Sequence, residues 1–167
     1  SEGLAVYLQD VTSSREQQEQ LVLLEAAVSR SNDIFVITDA NLLDEPGPRI
    51  VYANDAITKL TGYSPSEVIG NSPRLFQGSG TSGSDLARIR AALEARVPVT
   101  AELVNYARDG STYWVELDIA PIVDQTGRVT HFVAVQRDIT QRKAAQDALA
   151  ISELRFRTVA QLSADIV

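Results

Sequence analysis

The sequence predicts an α+β fold: a five-stranded antiparallel sheet with short helices on one face, plus an amphipathic linker helix at each end. Three observations lead there. Apolar runs of strand character lie at 34–39, 49–53, 99–107, 111–123 and 129–137. The last three are joined by Asp109-Gly110 and by Asp124-Gln125-Thr126-Gly127, hairpin joints in which glycine supplies a positive φ. The stretch between the second and third runs carries helix signals instead, which places the helices together rather than alternating with strands.

Taken in order, residues 13–30 read as a linker helix. Ser13 or Ser14 can cap it, Glu16 lies in its first turn, and Leu21, Leu24 and Val28 fall on one stripe. Pro46-Gly47-Pro48 breaks the loop after the first strand, and 49–53 pairs back as the second. Asn54 is expected to cap a short helix to Leu60, ended by Gly62. Ser64-Pro65-Ser66-Glu67 starts another, with proline at its first position and an acid in its first turn. Ser84 to Ala95 is the stronger helix, with Leu86, Ile89, Ala92 and Leu93 on one face. After the last strand, 141–162 forms a second linker helix with Ala145, Leu149, Phe156 and Val159 on a stripe. Neither linker helix has enough apolar surface to stand alone, so they are expected to pack as a parallel pair in a homodimer. Docking on the domain's own sheet is the alternative.

Residues 4–12 resemble 132–140: both are β-rich runs ending in Asp-Val-Thr or Asp-Ile-Thr. Ser31 to Val36 likewise resembles Ser163 to Val167. The offset of about 130 residues is the size of a domain. The expected organisation is therefore the end of a preceding domain over 1–12, a linker helix over 13–30 and a central domain over 31–140. A second linker helix would follow over 141–162, then the first strand of a following domain over 163–167.

The 167 residues carry a net charge of −7 with acids and bases interspersed, which disfavours a nucleic-acid partner. Zero cysteine excludes disulfides, thiolate metal sites and thiol nucleophiles, and a single histidine argues against a zinc centre or a Ser-His-Asp triad. No nucleophile–base pair or phosphate loop is present, so no enzyme activity is expected of this chain. No apolar run approaches the roughly 18 residues of a membrane span, and no signal peptide precedes the first element; no membrane contact and a cytoplasmic setting are expected.

Gln77, Asn105 and Gln136 point to a ligand. Alternation puts 103, 105 and 107 on one face of their strand and 132, 134 and 136 on one face of the last. An inward carboxamide costs about 1–3 kcal/mol unless a partner satisfies it. Carboxamides offer both a donor and an acceptor, which suits the alternating polar edge of a flavin ring. Backbone groups or water could satisfy them instead.

The segment Gly70-Asn71-Ser72-Pro73-Arg74-Leu75-Phe76-Gln77-Gly78, with Asn105-Tyr106 and Val135-Gln136, resembles the flavin-binding signature of LOV domains, the blue-light branch of the PAS sensor family. The resemblance extends over roughly Asp33 to Thr140, through Val36-Ile37-Thr38-Asp39, Ile50 to Ala56, Leu60 to Ser64, Leu86 to Arg90 and Phe132 to Thr140. It implies the PAS fold and a non-covalently held flavin, FMN by preference with FAD possible. In it Arg74 and Arg90 grip the phosphate, Gln77 and Asn105 bond the pyrimidine edge, Gln136 faces the redox-active nitrogen, and Thr38 completes the set. It further implies a sensor that relays light or redox state through the linker helices to a downstream effector domain. Three departures stand out. Pro73 replaces the cysteine that bonds to the flavin, Ser72 replaces an asparagine, and Val115 replaces the second strand asparagine. The Ser72-Pro73-Arg74 form also resembles non-photoactive PAS domains of bacterial signalling proteins. The alternative function is a cofactor-free PAS domain for dimerisation and relay. A haem sensor would have to use His131.

Overall fold

The computed structural model describes residues 2–42 and 44–166. Helix α1 (Glu2–Arg30) leads into β1 (Ile34–Asp39) and β2 (Ile50–Ala53), followed by α2 (Ala56–Thr61), α3 (Pro65–Val68), a 3-10 turn at Pro73–Phe76 and α4 (Gly83–Ala95). Strands β3 (Val99–Tyr106), β4 (Thr112–Val123) and β5 (Val129–Asp138) then run into α5 (Thr140–Asp165). All pairings are antiparallel, in the order β2-β1-β5-β4-β3. The last strand thus inserts beside the first, at the centre of the sheet, and both of its edges are paired.

Period-two alternation sets the register. Ile34, Gln136, Leu117 and Ala101 form one row across the inner face, and Val36, Ala134, Ile119 and Val99 form the next. Two apolar clusters cover that face. One joins Ile34, Val36 and Ile50 to Ile57, Val68 and Phe76 of the helical segment; the other joins Ile89 of α4 to Ala101, Leu103, Tyr113 and Val115.

Local signals account for the short helices. Gly62 ends α2 at φ 78°, in the left-handed region that glycine enters freely. Ser64 and Glu67 close a reciprocal capping box around Pro65. The cap expected at Asn54 is not made. Asp55 occupies that position, and the Asn54 carboxamide turns back to accept from Phe35 N at 2.9 Å and donate to Val28 O at 2.9 Å and Asp33 O at 3.0 Å. Three backbone groups at the α1–β1 junction need partners, and one buried carboxamide supplies them all.

The strand character expected over 4–12 is also corrected, since helix α1 runs unbroken from Glu2. A strand must pair its N–H and C=O groups with a neighbour. Among the described residues no strand pairs with 4–12, and a helix closes those bonds within the segment. The same holds for the strand expected at 163–167, where α5 continues to Asp165. Ser1, part of the preceding-domain end expected over 1–12, and Val167, part of the strand expected over 163–167, lie outside the described residues. Neither α1 nor α5 contains a buried residue, and Leu21, Leu24, Leu149, Leu154, Phe156 and Val159 are all exposed. Among the described residues no helix is long and apolar enough to cross a membrane.

Candidate functional site

The inner face of the sheet, α4, the 3-10 turn and the β1–β2 connection bound a cavity of about 590 Å³, within the roughly 300–1,000 Å³ typical of small-molecule sites. Its floor is apolar: Val36, Leu103, Leu117, Ile119, Phe132 and Ala134, contributed by four strands. Thr38, Arg74, Gln77, Arg90, Asn105 and Gln136 all lie on its walls. The residues expected from the sequence to share a site are therefore brought together.

Strand geometry places three of them. Gln136 stands between Ile34 and Leu117, Thr38 opposite Phe132, and Asn105 at the last inward position of β3, opposite Tyr113. Each is only 6% exposed. Among the described residues, none of these three side chains nor that of Gln77 closes a hydrogen bond with the protein. Among the described residues the Tyr113 hydroxyl is the one fully buried side-chain polar atom without a partner, so these four groups open onto the cavity and are not sealed in packed protein. Polar groups that converge, unpaired, on an apolar slot fit a flat ring with donors and acceptors along one edge.

Pro73 lies on the cavity wall at the first position of the 3-10 turn, where a missing N–H is harmless. Ser72 caps that turn through Arg74 N at 3.4 Å and donates to Pro46 O at 3.4 Å, so its hydroxyl is committed to the backbone. Val115 is fully buried in the cluster with Leu103 and Tyr113, off the cavity wall. The segment after Gln77 is clamped to Tyr106. Gly80 N donates to the phenol oxygen at 2.8 Å, and a Cβ on Gly78 would meet the ring at 2.5 Å.

The mouth holds charges that the sequence did not lead us to expect. Arg74 pairs with Glu45 at 2.8 Å and Arg90 with Glu94 at 3.1 Å, and both carboxylates line the cavity. The arginines expected to be free for a phosphate are each already engaged. The Arg90–Glu94 spacing of four on a helix was a legible signal. Beside Asn105, the Tyr113 hydroxyl is buried with no hydrogen-bond partner. Burial pushes its pKa up to about 12; Asn105 draws it down more weakly, without reaching hydrogen-bond geometry. His131 alternates to the opposite face from Phe132 and Ala134, bonds Thr130 Oγ1 at 3.0 Å and is not on the cavity wall.

Behind Gln136, the outer face carries a charged row. Asp33, just before β1, is followed by Arg137, Glu116 and Glu102 across β5, β4 and β3. Glu116 and Glu102 face each other directly, an unfavourable pairing of like charges. The first turn of α5 relieves it: Arg142 reaches Glu102 at 2.5 Å and Glu116 at 3.6 Å, and Lys143 pairs with Glu102. Lys143 also lies 4.7 Å above the Trp114 ring, while Trp114 N donates to Thr140 Oγ1 at 3.0 Å.

A family model of the PAS domain matches residues 32–141. This chain belongs to the PAS family. Within that family it is LOV-like and lacks the adduct-forming cysteine. It is 37% identical over 142 residues to the bacterioopsin transcriptional activator of Halobacterium salinarum, covering 85% of this chain and 20% of that protein. It is 39% identical over 115 residues to the blue-light-activated histidine kinase of Brucella ovis, covering 69% of this chain and 23% of the kinase. The PAS chain thus spans about a fifth of the length of the curated relatives it matches. A solved structure from a study of a flavin analogue in a light-oxygen-voltage domain superposes with a TM-score of 0.64 at 35% identity, over 78% of this chain and 93% of that one. An RNA-binding light-oxygen-voltage receptor superposes at 0.68 with 29% identity, over 81% of this chain and 38% of that one.

Proposed function

We propose that this PAS domain is a sensory module that binds a flavin non-covalently, FMN in preference to FAD, and relays its light or redox state through α5 to an effector domain in a cytoplasmic protein. The observation that carries this reading is the convergence of Thr38, Gln77, Asn105 and Gln136, whose side chains find no hydrogen-bond partner among the described residues, on one apolar cavity with two arginines at its mouth. A bound flavin supplies light absorption and reversible uptake of electrons and protons.

The chain's own residues would do the rest. Gln77 and Asn105 orient the ring by its polar edge, and Gln136 presents either a donor or an acceptor according to how its amide is turned. Arg137, the next residue, lies on the outer face and shares Glu116 with Arg142 of α5. A change in the Gln136 amide is therefore one residue away from the ion pairs that dock α5, and small local shifts of this kind can bias a two-state element.

The binding test is the visible spectrum of the untreated protein, followed by chromatography of the released pigment. A yellow protein that releases FMN is the expected result. A colourless protein that takes up neither FMN nor FAD would leave a cofactor-free relay domain. Hydrogen exchange over 140–150 in the oxidised and reduced states tests the relay, and equal protection in both would discard it.

A further inference from the structure

Arg74 and Arg90 approach the cavity mouth from different elements, the 3-10 turn and α4, and each already holds a carboxylate that lines the same cavity. We infer that Glu45 and Glu94 are specificity-determining residues that compete with the ligand's phosphate for these two arginines, and so set how strongly the cavity prefers a phosphorylated flavin to an unphosphorylated one. The inference rests on the flavin-binding reading.

Two arginines and two glutamates leave the mouth without net charge from these four groups, so it exerts little long-range pull on an anion. Both pairs are exposed, with side-chain exposures of 47% and 71% in one and 61% and 58% in the other. Pairs this open to water are weak, and a phosphate with three acceptor oxygens can displace them by bidentate contact with a guanidinium. Displacement does not remove the carboxylates. Glu45 on the β1–β2 connection and Glu94 in the last turn of α4 would stay beside the phosphate and repel it. That penalty falls on the phosphate alone. The ring, held at the far side by Asn105 and Gln136, is indifferent to it.

Riboflavin carries the same ring and ribityl chain without the phosphate, so it reports ring binding in isolation. The test compares dissociation constants for FMN and riboflavin, read by flavin fluorescence, on the pigment-free 167-residue protein and on Glu45→Gln, Glu94→Gln and the double variant. Each single change should raise the preference for FMN over riboflavin about two- to fivefold, and both together about tenfold, with riboflavin binding moved less than about twofold. Arg74→Gln should lower the same preference. If the glutamine variants bind both flavins with an unchanged ratio, or bind FMN more weakly, the carboxylates do not compete and the inference fails while flavin binding stands. Failure of the unaltered protein to bind either compound removes the flavin reading and this inference with it. Both glutamates are surface residues outside the core clusters, so the variants should keep the fold.

Discussion

Tyr113 has the phenol ring of a core residue and an oxygen with nowhere to bond. Its folded pKa of about 12 lies above the value near 10 of an open chain, so the folded state holds a proton that the unfolded state releases first. The contribution is fully present below pH 10 and is lost as pH rises towards 12. Tyr113→Phe should therefore stabilise the protein at neutral pH by about 1 kcal/mol, by removing an unsatisfied hydroxyl, and should flatten the alkaline loss between pH 10 and 12. Denaturant unfolding at neutral and alkaline pH checks both, and a less stable phenylalanine variant at neutral pH would mean that the hydroxyl has a partner after all. Much at this scale was legible. Asn105 and Gln136 are placed inward by strict alternation, and Pro73 is conspicuous where a cysteine is expected. Glu45 was not legible, because the separation of 29 positions from Arg74 is bridged only by folding. Asn54 was misread because asparagine before a helix is usually a cap, and here tertiary demand at the α1–β1 junction outweighed the local rule.

At the scale of elements, α5 is fastened by one end. Its first turn is tied by Trp114, Glu102 and Glu116, and the rest projects without burying a residue. The Lys143 ammonium, and after it Arg142, holds the Glu102 carboxyl below its ordinary range. A lowered folded pKa means the contribution is present above the unfolded value of 4.5 and is lost as pH falls through the folded one. Glu102→Gln should loosen the first turn of α5, seen as faster hydrogen exchange over 140–146 with the sheet unchanged, and acid below pH 4.5 should loosen the parent protein in the same place. Equal exchange in parent and variant would show that the tryptophan contacts suffice. The strands were read correctly because hairpin turns and alternation are local signals. Residues 4–12 were not, because their pattern fits a strand only where a neighbouring strand exists. The same pattern over 132–140 has β1 and β4 on either side; among the described residues no strand pairs with the first copy.

For the whole molecule, α1 and α5 are about 44 Å and 39 Å long at 1.5 Å per residue. Isolated helices with this much bare leucine are poorly stable in water. We expect a homodimer in which helices from two copies cover Leu21, Leu24, Leu154 and Phe156. Leu24→Glu with Leu154→Glu should give a monomer by sedimentation equilibrium, while the cavity keeps its flavin affinity; a parent protein that is already monomeric would refute the pairing. The fold could be read from the chain because its central domain is built from short-range hairpins and capped helices. What covers the apolar faces of α1 and α5 was not legible, because neither helix buries a residue against the rest of this chain. One carboxamide gives this plan a direction. Asn54 grips the last turn of α1 with one arm and the start of β1 with the other, and β1 lies hydrogen-bonded against the strand that carries Gln136. A displacement of α1 would therefore be passed through Asn54 to β1, whose Val36 and Thr38 line the cavity.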